Sequence, residues 1–192
     1  MEIYLIILIS YLCGSIPFGL ILTKIFLSKD IREHGSGNIG ATNVLRIGNK
    51  LLASLTLILD LLKALIPILY IKNNFYEYTF ISSLAVFIGH VFPIWIKFKG
   101  GKGVATFLGI LFALNYILAI IFIFIWLLTL SIFKYSSLSS IISALSIPIA
   151  VYFFNNEKDI FFYIILFVLI LFNHRENIKR LKNKEEKKIN LF

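Results

Sequence analysis

Six hydrophobic stretches separated by short polar segments run along the chain. They are Ile3–Leu27, Leu51–Ile71, Thr79–Ile96, Phe107–Phe133, Ile141–Phe154 and Ile160–Phe172. The first four are long enough for helices that cross the bilayer core, which takes about 20 apolar residues. The pattern therefore predicts an all-α integral membrane protein.

Polar interruptions refine these boundaries. Pro17, within Gly14–Gly19, removes a backbone N–H and predicts a kink in the first span. Asn115 and Tyr116 divide the fourth stretch, and a polar turn at Asn155–Asp159 separates the last two.

Basic residues concentrate at 29–50, 97–102 and 175–188, and such clusters mark the cytoplasmic side of a membrane protein. Segment 97–106 and the tail would then both be cytoplasmic, so an even number of crossings must separate them. A break at Asn115 gives two helices and satisfies this count. It predicts a bundle of about seven transmembrane helices, with the N-terminus outside and the C-terminus cytoplasmic. The alternative is one span over 107–133, followed by one crossing and a re-entrant piece.

Composition supports this assignment. The 192 residues are 59 % hydrophobic, with a mean hydropathy of +0.89, which is typical of membrane proteins. We expect one domain over 1–192, with a basic cytoplasmic tail from about 174. Cytoplasmic loops explain the net charge of +9 without nucleic acid as a partner. The single Cys13 excludes a disulfide framework. The acidic start Met1-Glu2 predicts that the first segment is not a cleaved signal.

A glycine turn, Gly100–Gly103, carries Lys102 at its centre. Its glycines allow the backbone to approach a ligand closely, and consecutive N–H groups with a lysine can bind an anion. The alternative is a tight cytoplasmic loop without a ligand. A nucleotide P-loop is excluded because Gly103, and no hydroxyl residue, follows Lys102.

Other polar residues are also candidates for chemistry. Segment 30–46 is richer in hydroxyl and amide groups than a plain connector needs. Asp60 and Lys63 are three residues apart within a hydrophobic span, which favours a structural ion pair on one helix face. A single histidine in a helix, such as His90, is more often a core residue than a catalyst. The predicted topology brings these polar segments to the inner face, where basic residues suit a phosphorylated substrate.

The sequence resembles the bacterial acyl-phosphate:glycerol-3-phosphate acyltransferases, the PlsY family, over nearly its whole length. The resemblance rests on four motifs in order: Gly14–Pro17, Gly35–Arg46, Gly89–Pro93 with Lys99–Gly103, and His174–Ile178. It implies a seven-helix inner-membrane enzyme with its active site on the cytoplasmic face. The implied reaction is attack by the 1-hydroxyl of glycerol 3-phosphate on a long-chain acyl phosphate, giving lysophosphatidic acid and phosphate.

The resemblance also implies site residues. It assigns catalysis to His174, Ser36 and Asn177. We expect substrate and phosphate binding by the following residues: Arg46, Lys102, Gly100, Gly101, Gly103, Asn38, Thr42, Asn43, Ser137 and His90. The base is either His174 or a substrate phosphate. We expect no metal and no cofactor.

The implied partners are glycerol 3-phosphate, the lipid bilayer and acyl phosphate supplied by a soluble acyl-phosphate synthase. A different class of function, a transporter or flippase of a phosphorylated metabolite, also fits helix breaks and buried charges. The clustering of polar motifs on one face and the lack of an internal repeat favour the enzyme.

Overall fold

The computed structural model describes residues 1–154 and 157–189. The described residues form ten α-helices. They are α1 (Glu2–Ser15), α2 (Phe18–Leu27), α3 (Ala41–Arg46), α4 (Lys50–Asn74), α5 (Thr79–Val91), α6 (Val104–Leu114), α7 (Tyr116–Phe133), α8 (Ser136–Phe153), α9 (Glu157–Asn173) and α10 (Arg175–Lys182). Asn155 and Asn156, at the start of the predicted polar turn, lie outside the described residues.

The all-α prediction is confirmed. Within the described part of the chain, five helical stretches have the length and hydropathy of membrane spans. They are Glu2–Leu27, Lys50–Asn74, Tyr76–Ile96, Tyr116–Phe133 and Ser136–Phe153. Two shorter apolar helices, Val104–Leu114 and Asp159–Asn173, bring the apolar segments to the predicted seven. The number of membrane crossings and the direction of each stay predictions.

The chain forms two compact units, Met1–Leu114 and Asn115–Phe192. The first contains α1 to α6, and the second contains α7 to α10. The boundary falls at the predicted break, where the Asn115 side chain accepts a hydrogen bond of 3.0 Å from the Ile117 N–H and caps α7. The single domain over 1–192 stays a prediction.

Close backbone contact joins α1 to α5 in the first unit. A Cβ atom on Gly14 would lie 2.1 Å from the Val86 carbonyl oxygen, and one on Gly89 would lie 2.2 Å from the Tyr11 carbonyl oxygen. Only glycine permits this approach, which is a common way to pack membrane helices.

The break at Pro17 is closed by a charged side chain from α4. Helix α1 ends at Ser15, and the Lys63 ammonium donates a hydrogen bond of 2.7 Å to the Ile16 carbonyl. Lys63 Nζ also lies 2.7 Å from Asp60 Oδ1, and both side chains are buried. The predicted ion pair is thus confirmed, and Lys63 gives the Ile16 carbonyl a charged donor in addition to the Phe18 N–H, which lies 3.2 Å from it.

In the second unit, α8 packs against both α7 and α9. Trp126 of α7 donates a hydrogen bond of 3.1 Å to the Ser140 hydroxyl of α8. The chain after α10 folds back, because the Ile189 N–H donates to the Lys134 carbonyl over 2.8 Å. The described part of the predicted tail is therefore packed against its own unit.

The short helix α6 poses a problem for a membrane protein. Eleven residues span only about 16 Å, against a hydrocarbon core of about 30 Å. Its terminal carbonyls need donors, because lipid offers none. Lys72, in the last turn of α4, donates to the carbonyls of Ala113 and Leu114 over 2.8 and 3.1 Å.

We predict that Lys72→Met lowers the thermal stability of the detergent-purified protein. The variant keeps the apolar stem of the side chain but leaves two carbonyls without their donor, at a cost of about 1–3 kcal/mol. Lys50→Met is the matched control, because Lys50 is an exposed lysine in the first turn of the same helix. Thermal unfolding would contradict this prediction if the two variants lost equal stability.

Candidate active-site residues

Asn43 organises the polar segment that precedes α4. Its amide group donates hydrogen bonds to the carbonyls of Ile31, His34 and Asn38, over 3.2, 2.9 and 2.8 Å. Its Oδ1 atom accepts one of 2.8 Å from the Ser36 N–H. The buried amide thus orders the loop itself, and the expected substrate contact of Asn43 stays a prediction.

The other candidate site residues of this segment differ in exposure. Ser36 is exposed, whereas Asn38 and Thr42 are half-buried. The Asn38 side chain accepts a hydrogen bond of 2.9 Å from the Gly40 N–H. Arg46 is the last residue of α3.

Apolar residues tie the polar segment to the turn that leads to the glycines. Ile31, Ile39 and Val44 are buried in one cluster with Ile96. Ile96 lies four residues before Gly100, so this contact brings the predicted polar segment and the glycine turn into the same part of the first unit.

Arg32, one of the basic residues in segment 29–50, pairs with a neighbouring carboxylate. Its guanidinium donates hydrogen bonds of 2.9 and 2.6 Å to the Asp30 carboxylate. This hydrogen bonding holds the pKa of Asp30 well below its usual range, so the carboxylate is ionised at neutral pH.

The glycine turn folds back onto the end of α5. The Gly100 N–H donates to the Val91 carbonyl over 3.0 Å, and the Gly101 N–H donates to the His90 carbonyl over 3.1 Å. These two amides are engaged within the protein. The expectation that both amides face a phosphate is therefore corrected, because the turn uses them to stay closed.

Gly101 and Gly103 allow close packing beneath the turn. A Cβ atom on Gly101 would lie 2.1 Å from His90 Nε2. Gly103 has a φ of +86°, and a Cβ atom there would lie 2.4 Å from the Phe87 ring. The half-buried Lys102 lies between these two glycines, two residues before Val104, the first residue of α6.

His90 lies below the turn and has 3 % of its surface exposed. Its Nδ1 atom is 3.8 Å from Asp60 Oδ1 and has no hydrogen-bond partner among the described residues. The ring is thus covered by Gly101 on one side and faces the buried ion pair on the other. In this conformation His90 has the surroundings of a core residue.

In the second unit, the buried carboxylate of Glu186 accepts hydrogen bonds from two of the candidate site residues. Glu186 Oε1 accepts hydrogen bonds from the Ser137 hydroxyl and the Asn177 amide, over 2.9 and 2.8 Å. Its Oε2 atom accepts one of 2.7 Å from Arg180 Nε. Burial raises the pKa of Glu186, but these hydrogen bonds outweigh it and give a net lowering. The carboxylate is therefore ionised at neutral pH.

His174 is held by the helix that it follows. Its Nδ1 atom lies 2.8 Å from the Ile170 carbonyl oxygen. A carbonyl can only accept, so Nδ1 carries a proton, and in the neutral form of the ring the lone pair is on Nε2. His174 is buried and precedes the first residue of α10, one turn before Asn177.

Glu186 is the residue that sequence reasoning missed. Beyond His174 and Asn177, the sequence predicts the tail only as a basic segment, in which Glu185 and Glu186 are indistinguishable. The signal in the sequence is an acidic pair inside a run of lysines. Such a pair can indicate a buried carboxylate that accepts hydrogen bonds from amide and hydroxyl donors.

Comparison with known proteins identifies the family. The sequence profile described as glycerol-3-phosphate acyltransferase matches residues 4–184. The chain belongs to the glycerol-3-phosphate acyltransferase family. A glycerol-3-phosphate acyltransferase of Pelagibacter ubique (strain HTCC1062) is 60 % identical over 192 residues, covering 100 % of both chains. One from Wolbachia sp. subsp. Brugia malayi is 46 % identical over 193 residues, covering 98 % of this chain and 99 % of the relative.

Solved structures of the family agree with this fold. The crystal structure of the integral membrane acyltransferase PlsY (YgiH) in its glycerol 3-phosphate form has a TM-score of 0.93 and 36 % identity. Its lysophosphatidic acid form has a TM-score of 0.89 and 35 % identity. Each match covers 99 % of this chain and 96 % of the solved chain. The resemblance to the PlsY family is confirmed, and this chain is a multi-pass membrane enzyme of the acyltransferase family.

We predict that Glu186→Ala lowers acyltransferase activity about 10- to 100-fold, because the Asn177 amide loses a charged acceptor worth about 1.5–3 kcal/mol. The measurement is the steady-state rate of the purified, folded variant. Glu185→Ala is the matched control, since Glu185 is the exposed neighbour. Equal activities of the two variants would show that the Glu186 hydrogen bonds do not position Asn177.

Proposed function

We propose that the protein transfers a long-chain acyl group from acyl phosphate to the 1-hydroxyl of glycerol 3-phosphate. The hydroxyl oxygen attacks the acyl carbon, the bond from that carbon to the phosphate oxygen breaks, and phosphate leaves. The products are lysophosphatidic acid and phosphate. The observation that carries the proposal is the likeness to PlsY, whose structures include a glycerol 3-phosphate form and a lysophosphatidic acid form.

The glycine turn supports a phosphate site at the N-terminus of α6. The first N–H groups of a helix have no acceptor within it, and the helix dipole favours an anion there. Helix α6 begins at Val104, directly after Gly103, and Lys102 supplies a positive charge at the same end. We therefore assign the phosphate to Lys102 and to this helix end, while Gly100 and Gly101 shape the turn.

The polar segment supplies further polar contacts. We assign the Arg46 guanidinium to phosphate oxygens, because its planar fork suits bidentate binding. We assign Ser36, Asn38 and Thr42 to hydroxyl or phosphate oxygens of the substrates. Asn43 orders the segment that carries them.

In the second unit, we assign the proton transfer to His174. The hydrogen bond to the Ile170 carbonyl fixes the tautomer with the lone pair on Nε2, which suits a general base. Asn177 and Ser137 remain candidates for orienting the substrates, with Glu186 fixing their side chains. The acyl phosphate is already activated, so the reaction needs no acyl-enzyme; it needs positioning and charge neutralisation.

We place the enzyme in the bacterial inner membrane with its site on the cytoplasmic face. The concentration of basic residues in segments 29–50, 97–102 and 175–188 supports this orientation. A soluble acyl-phosphate synthase would supply the donor from the cytoplasm, and the bilayer would hold its acyl chain.

We predict that Lys102→Ala loses about two orders of magnitude in turnover or more, which is the effect of removing one contact to a developing oxyanion. The measurement is conversion of radiolabelled glycerol 3-phosphate by the purified variant. Lys97→Ala is the matched control, because Lys97 is an exposed lysine of the same loop. Retention of most activity by Lys102→Ala would show that the turn only anchors the loop.

We predict that acyl phosphate is a donor, whereas acyl-CoA and acyl-carrier protein are not, and that EDTA leaves the rate unchanged. The physical reason is that a chemically activated, membrane-soluble acyl group needs no docking surface for a carrier. The test compares the three donors at equal concentration, with and without EDTA. Comparable rates with acyl-CoA, or loss of the rate in EDTA, would move the enzyme to a different acyltransferase class.

A further inference from the structure

The glycine turn rests on His90. The backbone of Gly101 lies against the imidazole so closely that a methyl group would overlap Nε2, and the Gly101 N–H is bonded to the His90 carbonyl. One residue of α5 thus contacts the turn through both its side chain and its backbone. A shift of this ring would move Gly101, and with it the adjacent Lys102.

On its other side, the His90 ring faces the buried ion pair of Asp60 and Lys63. His90 Nδ1 faces Asp60 Oδ1 at 3.8 Å, and Asp60 is paired with Lys63. Lys63 also donates to the Ile16 carbonyl at the break between α1 and α2. Lys63 and Asp60 on α4 and His90 on α5 therefore connect this helix break to the glycine turn, with hydrogen bonds at both ends and a polar contact of 3.8 Å between Asp60 and His90.

The stability of the fold alone does not explain why Asp60 and Lys63 are buried as an ion pair. Burying two charges costs several kcal/mol per ion before they attract each other, and apolar residues of similar size are often as stable. The best-attested benefit of a buried charged group is a defined arrangement of its neighbours. Here the neighbour is an imidazole directly under a turn that carries a functional lysine.

We propose that Asp60, Lys63 and His90 are positioning residues for substrate phosphate binding. The ion pair fixes the imidazole, and the imidazole fixes Gly101, so that Lys102 and the start of α6 keep the geometry that the phosphate needs. This inference rests on the proposed phosphate site. His90 does not contact the substrate itself, and Asp60 and Lys63 act beyond holding the helices together.

The experiment is a cycle of variants in the full-length purified protein. One arm is His90→Gln. The other is Asp60→Asn with Lys63→Gln, which removes both charges together so that neither is left buried alone. The third protein combines all changes. The readouts are kcat, the KM for each phosphorylated substrate and the thermal midpoint.

Each arm should raise the KM for at least one phosphorylated substrate about tenfold while kcat changes less than about threefold, since one tenfold step corresponds to about 1.4 kcal/mol. The combined protein should have the KM of a single arm, because both arms act through the same ring. If His90→Gln does not fold, the ion-pair arm decides alone. Unchanged KM values for both substrates in either folded arm, or multiplying effects in the combined protein, would overturn the proposal.

Ser82→Ala is the matched control, because it removes a buried polar contact of α5 away from the turn. Ser82 Oγ lies 2.8 Å from Ser10 Oγ on α1. This variant should lower the thermal midpoint and leave both KM values unchanged. A rise in KM equal to that of the positioning variants would show that any loosening of α5 has this effect, and it would overturn the proposal. An active Lys102→Ala would instead refute the phosphate site. An inactive Lys102→Ala with normal KM values in the positioning variants would refute only this inference.

Discussion

Backbone polar groups inside a membrane must find partners within the protein, and the first unit depends on how it meets this constraint. The chain exposes carbonyls at two places, at the kink before Pro17 and at the end of the short helix α6. At both places a lysine of α4 donates the hydrogen bond. Lys63 donates to the Ile16 carbonyl, and Lys72 donates to the last carbonyls of α6. One long helix thus permits both departures from regular helical structure. The same helix supplies the buried pair that faces His90.

Much of this arrangement could be predicted from the sequence. Hydropathy located the helical segments, the Asn115 break gave the boundary between α6 and α7, and the spacing of Asp60 and Lys63 predicted their pairing. These features are local, because they follow from periodicity and from residues a turn apart. The target of Lys63 could not be predicted in this way. Its acceptor is 47 residues distant in sequence, and only packing of α1 on α4 brings the two together.

The glycine turn shows why a correct motif can still give an incorrect contact. Gly100 and Gly101 were expected to offer their N–H groups to a ligand, whereas both donate to the end of α5. Glycine permits close approach by any neighbour, and the sequence does not say whether that neighbour is a ligand or the protein. The proposed anion site therefore uses the N-terminus of α6 instead. Its position depends on where the helix begins, and helix ends are the least certain part of a sequence prediction.

Asn43 and Glu186 order the two polar segments in the same way. Both segments carry many polar groups, and a site for small anions must be rigid to bind them well. In each segment one buried polar group gathers several partners: Asn43 joins three carbonyls and one N–H, and Glu186 joins a hydroxyl, an amide and a guanidinium. Because such a group bonds many others, its loss would leave several polar atoms unsatisfied. The residues that order these segments therefore differ from those assigned to the substrates, and only the structure distinguishes the two groups.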